Sequence, residues 1–526
     1  VKVAVVERRD VPGFVGYVPD EIVVQFAQPV VAELDNAALS NGLTGISDLD
    51  QLGQEYGAVS VRPQFPGARP KKLKGQVIGL TGWHKIRFAR HVAVEAVVNE
   101  YKNVPGLIDA QPIGIHTTSA YPNDGSFSNQ WHMNQVNDSD IDAPEAWDIQ
   151  TGEQNLIVAM LDTGVRYFHR DLGGSEASYE NPTNVDGNMW INWIEKNGSG
   201  GSDDDNNGFV DDWIGWDFVD GGSACWAGED CFDQDDDPRD FNGHGTHCAG
   251  NVAAITNNGY GSTGTAGGWG DGTLQPTANG VKVMALRIGW SADYFGEERG
   301  FVRMDFAAEA FYYAADNGAR IASCSWGSSD TGGVGSAIDY FLASGGIVFK
   351  AAGNDGDASA DYMCGRSDVI SVAATDQDDC KADFSNYGPW VDVSAPGVSI
   401  MSLYHFHEHP SGDYVATASG TSMATPLAAG VSALIWSQNP SWTAIQVEQK
   451  LYGSSDDIYG FSCNSSYPDM LGAGRINAYN TVNTSPEAVP ALSSVGLSLV
   501  AIGLALLGML VCLKAKERPK RTSGGT

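Results

Sequence analysis

Between about residue 119 and residue 482, short apolar runs alternate with stretches of helical spacing. NLIVAML, VKVMALRI, ARIASCS, GGIVFKAA and VISVAAT read as strands. MDFAAEAFYYAADNG and SAIDYFLASGG read as helices that stop at glycine, the residue suited to the turn after a helix. Strands and helices in alternation build an α/β domain, a mainly parallel sheet flanked by helices. The functional edge of such a sheet lies at the carboxyl ends of its strands.

A different pattern precedes it, over residues 17–118. EIVVQF, VSVRPQF, WHKIRFA and LIDAQPIGI are strand-like, while SDLDQLGQEYG and VAVEAVVNEYKNVPG have helical spacing. The order β-α-β-β-α-β predicts a small ferredoxin-like α+β unit. A chain of 526 residues has room for both units and a large core. Residues 1–16 form an N-terminal tail without the apolar stretch of a signal peptide.

At the other end, residues 491–513 (ALSSVGLSLVAIGLALLGMLVCL) carry no charge, and Lys514, Lys516, Arg518, Lys520 and Arg521 follow. At ~1.5 Å per residue such a helix spans a ~30 Å hydrocarbon layer. The expectation is a transmembrane helix after a linker at 483–490, with the basic tail 514–526 in the cytoplasm and the rest outside. That places the protein at the cell surface or outside the cell, anchored to a bacterial envelope. The layout also resembles bacterial tails that sort proteins to the surface.

The net charge is −34, from 31 basic against 65 acidic residues. Nucleic acid is excluded as a partner, because phosphate contacts need a basic surface. Eight cysteines are too few for a disulfide scaffold in so long a chain. Cys225 and Cys231 enclose a short loop and suit a local bridge; Cys364 and Cys380 are a weaker pair, and Cys248, Cys324 and Cys463 have no evident mate.

Four short motifs concentrate chemistry after strands or at helix starts. Asp162 ends the strand of LIVAMLDTGV; FNGHGTHCAG sets His244 between two glycines before an apolar run; Asn354 of AAGNDG follows GGIVFKAA; and SGTSMATP opens an apolar helix at Ser422. Each alone is an ordinary cap or turn. Together they hold the parts a serine nucleophile needs: a base, a group that orients the base, and donors for an oxyanion. The N–H of Ser422 at a helix N-terminus favours nearby negative charge.

On these motifs the chain resembles the subtilisin-like serine peptidases, over residues 119–482, and YPNDGSFSNQW, IDAPEAWDI, ADFSNYGPWVDVSAPG and AGRINAY resemble the thermitase-like branch. The order Asp, His, Ser is that of subtilisin. The resemblance implies Asp162 as the orienting acid, His244 rather than the nearby His247 as base, Asn354 as oxyanion donor and Ser422 as nucleophile. It implies that residues 17–118 are a propeptide that chaperones folding, blocks the cleft and is removed near 116–121 by Ser422 itself. It also implies an extended substrate strand along Ser325, Trp326 and Gly327 on one side and Ala352 and Gly353 on the other. Trp326 is bulkier than the leucine usual in relatives, which predicts a narrower pocket. Lys350 is an odd charge in an apolar strand, and Asp355 beside Asn354 points to basic substrate side chains. Most relatives carry histidine where this chain has Leu427, a packing difference outside the triad. Pro426 falls early enough in its helix that the missing N–H is expected to matter little.

Asp203-x-Asp205-x-Asn207-Gly208 matches the first half of an EF-hand loop, whose alternating oxygens and glycine turn surround calcium. Position twelve is Ile214, so Asp211 and Asp212 are expected to complete the shell. The resemblance adds a second calcium site at Asp124, Asp171 and the loop at Asn257. Calcium in both would be structural.

The reading is a monomeric, self-processed, membrane-tethered serine endopeptidase acting on proteins and peptides, with its own propeptide and the membrane as further partners. A catalytically silent surface-binding domain is the alternative. An acid-active relative would need Glu for His244 and Asp for Asn354.

Overall fold

The computed structural model describes residues 14–483, apart from 32–33, 35–38, 40, 74–75, 117–120 and 272–279. The tail 1–13, the segment 117–120 where propeptide removal is expected, and residues 484–526 lie outside the described residues.

At the front, β1 (Phe14–Phe26), α1 (Ser47–Tyr56), β2 (Ala58–Pro63), β3 (Trp83–Phe88), α2 (Val94–Tyr101) and β4 (Leu107–His116) follow one another. The four strands form one antiparallel sheet in the order β2-β3-β1-β4. Alternate residues of β1, Ile22, Val24 and Phe26, meet Val94, Val97, Val98 and Tyr101 of α2 in a small closed core. The period of two on the strand against three and four on the helix produces that meeting.

The larger part is built on a seven-stranded parallel sheet: β5 (Ile157–Asp162), β6 (Gly215–Asp217), β7 (Lys282–Arg287), β8 (Ile321–Cys324), β9 (Ile347–Ala351), β10 (Ile370–Thr375) and β11 (Val393–Pro396). Their order is β11-β10-β9-β8-β5-β7-β6, every pair parallel. Among the helices packed on it are α3 (His244–Ala253), α4 (Met304–Asp316), α5 (Val334–Ala343) and α6 (Thr421–Gln438). Side chains alternate between two apolar layers. Val158 and Met160 of β5 pack with α3 and α6, whereas Ala159 and Leu161 pack with α4 and α5. Burial on both faces is why these strands read as unbroken apolar runs. The two edge strands, β6 (GWD) and β11 (VSAP), were not legible that way because neither is an unbroken apolar run.

Two expectations are corrected. Among the described residues no helix is long and apolar enough to cross a membrane, so the C-terminal anchor and the surface tethering it implied are withdrawn. The apolar run 491–513 and the basic tail 514–526 lie outside the described residues. The 18-residue α6 is apolar because it is the central helix of the core, not because it faces lipid. Cys364 does not pair with Cys380: it is buried, its Sγ donating to the Ala351 carbonyl at 3.4 Å. Cys380 instead bonds Cys463, 83 residues away, and Cys225 bonds Cys231. A mate so distant leaves no local spacing to read.

Candidate active site

The carboxyl edge of the sheet collects the residues singled out by the motifs. Asp162 ends β5 with its side chain 2% exposed, and its Oδ1 accepts the Thr163 N–H at 2.8 Å and lies 2.7 Å from His244 Nδ1. The glycines around His244 have different reasons. Gly243 precedes α3 at φ 93°, and a Cβ there would strike the His405 carbonyl and the Tyr404 ring. At Gly245 a Cβ would fall on the Gly164 carbonyl and against Asp162, so only glycine lets α3 start this close to β5.

A residue absent from the motif reading holds this junction. Asp240, 3% exposed, accepts the Gly243 N–H, the Thr246 N–H and the Thr246 hydroxyl at 2.9, 2.9 and 2.7 Å. It also accepts the Thr163 hydroxyl at 3.0 Å, while that hydroxyl accepts the Gly245 N–H. One carboxylate thus caps α3 and ties it to the end of β5. Its position directly before the motif FNGHGTHCAG, in PRDFNGHG, was the available signal.

The two nearby histidines separate clearly. His247 is fully buried, with Nε2 3.1 and 3.2 Å from the carbonyls of Ile400 and Ala416, and burial pulls its pKa down to about 4. His244 is 31% exposed on its side chain. Burial lowers its pKa, but the Asp162 charge and hydrogen bond outweigh that and leave it above 6.5.

Ser422 is the second residue of α6 and is partly exposed. Its Oγ donates to the Ser325 carbonyl at 3.2 Å. Cys248, one turn after His244, has its Sγ within 4.8 Å of nitrogen and oxygen atoms of His244 and Asp162, and donates to the Ser422 carbonyl at 3.3 Å. Pro426 matters more here than its early position suggested. It is the sixth helical residue, and its missing N–H would have bonded the carbonyl of Ser422. That freed carbonyl accepts Ser325 Oγ at 3.0 Å and Cys248 Sγ. The proline therefore lets the turn carrying Ser422 be tied to β8 and α3 at once. Leu427 is fully buried in the main core.

Asn354 follows β9 and is exposed. Its Oδ1 accepts the backbone N–H and hydroxyl of Thr421 at 2.9 and 3.1 Å. The side chain is thereby oriented with Nδ2 left as a donor at the start of α6. Ser422, Asn354, Ser325, Trp326, Gly327, Ala352 and Gly353 line one cavity of about 300 Å³. The Trp326 indole N–H donates to the Leu161 carbonyl at 2.7 Å, so the ring is anchored in the apolar layer beneath.

The expected metal ligands divide into two places. Asp205 and Asp212 converge with Glu195, their carboxylate oxygens all within 4.8 Å of one another. Glu195 sits on the short helix Trp193–Lys196, ahead of the acidic run, and sequence spacing missed it because the EF-hand pattern looks only forward. Burial, with the charges of Asp205 and Glu195 added, holds the Asp212 pKa above its usual value. Clustered acids of this kind fit a hard, oxygen-loving dication. Asp203 accepts the N–H groups of Asn207 and Gly208, Asn207 donates to Asp205 and Asp212, and Asp211 accepts the Gly201 N–H. In the second place, Asp124 accepts the Asn257 N–H at 2.6 Å, Asp171 accepts Asn258 Nδ2 at 2.6 Å, and Asn257 Oδ1 accepts the Asn123 N–H. Burial pushes Asp124 up to about 6 and Asp171 well above the carboxylate range.

A parallel sheet with an Asp–His pair and a helix-start serine at its carboxyl edge defines a serine peptidase. The subtilase family pattern matches residues 153–477, and the chain belongs to that family. It is similar to the thermophilic serine proteinase of Bacillus sp. strain AK1, 31% identical over 468 residues that cover 89% of this chain and 88% of that protein. Thermitase of Thermoactinomyces vulgaris is 35% identical over 362 residues, 69% of this chain and 99% of thermitase. Among solved structures, a protease of Pseudoalteromonas arctica PAMC 21717 superposes with a TM-score of 0.52 at 28% identity, covering 69% of this chain and 99% of that one. The chain is accordingly a subtilisin-type serine endopeptidase.

Proposed function

We propose that this endopeptidase works through His244, Asp162 and Ser422, and that it is made as a self-processed zymogen. The carrying observation is the 2.7 Å contact between His244 Nδ1 and Asp162, with the α6 turn of Ser422 tied through its carbonyl to the Cys248 thiol one turn after His244. Asp162 keeps the proton on Nδ1, so Nε2 is the free base. When substrate binds, the Ser422 hydroxyl leaves the Ser325 carbonyl, passes its proton to His244 and attacks the scissile carbonyl carbon. The oxyanion is met by Asn354 Nδ2 and the Ser422 N–H. The tetrahedral adduct collapses as His244 returns the proton to the leaving amine, and water releases the acyl group by the same route in reverse. A serine-directed fluorophosphonate should label wild-type protein at Ser422; a folded protein that takes no label would favour a binding role instead.

Residues 17–118 are proposed as the propeptide. The 468-residue likeness to the Bacillus proteinase is longer than the 364 residues of 119–482, so it reaches beyond the peptidase unit. Purified Ser422→Ala protein should remain uncut near 116–121; cleavage there in its absence of nucleophile would refute self-processing.

Calcium is proposed at Glu195, Asp205 and Asp212, supported by Asn207, and at Asp124, Asp171 and Asn257, where it would offset carboxylate repulsion and brace loops without entering the reaction. Chelator should lower the melting temperature and speed autolysis, and added calcium should restore both.

A further inference from the structure

The cavity that touches Ser422 and Asn354 does not have an apolar floor. It is also lined by Lys350, Asp355 and Asp361, three charged residues in a space of about 300 Å³. Lys350, in the middle of the sheet, is 1% exposed; its Nζ lies 2.9 Å from Asp361 Oδ2 and donates to the Ala351 carbonyl at 2.6 Å. Asp361 also accepts the N–H groups of Ser328 and Cys364 at 2.8 and 3.0 Å, so the carboxylate is fixed in place. Burial alone would raise its pKa, but the Lys350 charge and these bonds hold it below the usual value.

The two members of the pair are not equally presented. The Lys350 side chain is 2% exposed and that of Asp361 is 24% exposed, while Asp355 is on the surface. The ammonium lies beneath and the carboxylates face the cavity. One buried positive charge against two accessible negative ones leaves the space acidic. The side of the reaction it serves follows from its lining. It adjoins Asn354, which meets the oxyanion, and His244, which must face the leaving amine, is absent from it. It therefore receives the side chain of the residue that supplies the scissile carbonyl.

We infer that this cavity selects lysine or arginine before the scissile bond, with Asp361 as the recognising carboxylate and Lys350 as the counter-charge that positions it and tempers its pull. The inference rests on the proposed roles of Ser422 and Asn354. A large aromatic side chain would strip water from Asp361 without replacing its hydrogen bonds, whereas a cationic tip keeps the carboxylate paired.

The test uses matured full-chain enzyme and a series of peptide substrates that differ only before the scissile bond: Arg, Lys, norleucine, Phe, Leu and Glu. Lysine and arginine should exceed norleucine, the neutral analogue of lysine, by about ten-fold in kcat/KM, the size of one charge-assisted hydrogen bond. Asp361→Asn should erase that margin, carried mainly by KM, and Lys350→Met should widen it. Asp355→Asn, a surface change that keeps Lys350 paired, should reduce the margin partially and serves if Asp361→Asn does not fold. Enzyme that takes the fluorophosphonate and cleaves casein, yet prefers Phe, Leu or Glu, overturns the selectivity and leaves the proposed function standing. Enzyme that neither labels nor cleaves overturns both.

Discussion

At the scale of single residues, the site turns on who His244 touches. Its raised pKa means that the proton is held more firmly than on free imidazole, and in its proposed role as base His244 works only when that proton is off Nε2. The kcat/KM profile should therefore lose activity as pH falls through a value above 6.5, and Asp162→Asn should move that limb down while lowering kcat by about 10⁴-fold. In stability the sign is opposite. The Asp162–His244 ion pair stabilises the fold below the unfolded imidazole pKa and fades as pH rises through the raised one. Asn354→Ala should lower kcat by about 10²–10³-fold with KM little changed, since in its proposed role the amide acts on charge that exists only in the transition state. Steady-state kinetics from pH 5 to 10 checks all three.

At the scale of elements, the contest is between a helix's own pattern and what it packs against. TSMATPLAAGVSALIWSQ reads as an apolar helix with a serine near its start, and α6 runs through the middle of the main core. Leu427 is fully buried there beside Ala424, Ala428 and Val431. Leu427→Ala should destabilise the fold by about 2–5 kcal/mol, measured by urea unfolding, with kcat of the still-folded enzyme near wild type. Element types were legible wherever burial left a plain signal, as unbroken apolar runs in β5, β7, β8, β9 and β10 and as helical spacing in α4 and α5. The strands β6 and β11 and the carbonyl released by Pro426 were not, because GWD and VSAP are not apolar runs and a missing N–H leaves no trace in the pattern.

At the scale of the whole molecule, distant segments are stapled together. The Cys380–Cys463 bridge closes a loop of 83 residues that contains β11 and all of α6. Replacing both cysteines by serine should lower stability by about 2–5 kcal/mol, seen as an earlier thermal transition, because the open loop regains conformational freedom when unfolded. The same long reach hid the bridge from inspection of spacing.

The sequence by itself determined the α/β class, the four motifs and the acidic insertion, because burial periodicity and glycine-restricted turns are local properties. Only the tertiary structure decided that His244 and not His247 faces Asp162, that Asp240 ties α3 to β5, that Cys380 meets Cys463, and that Lys350 is countered by Asp361. Each of those is a meeting of side chains on different elements, fixed by packing in space rather than by spacing along the chain.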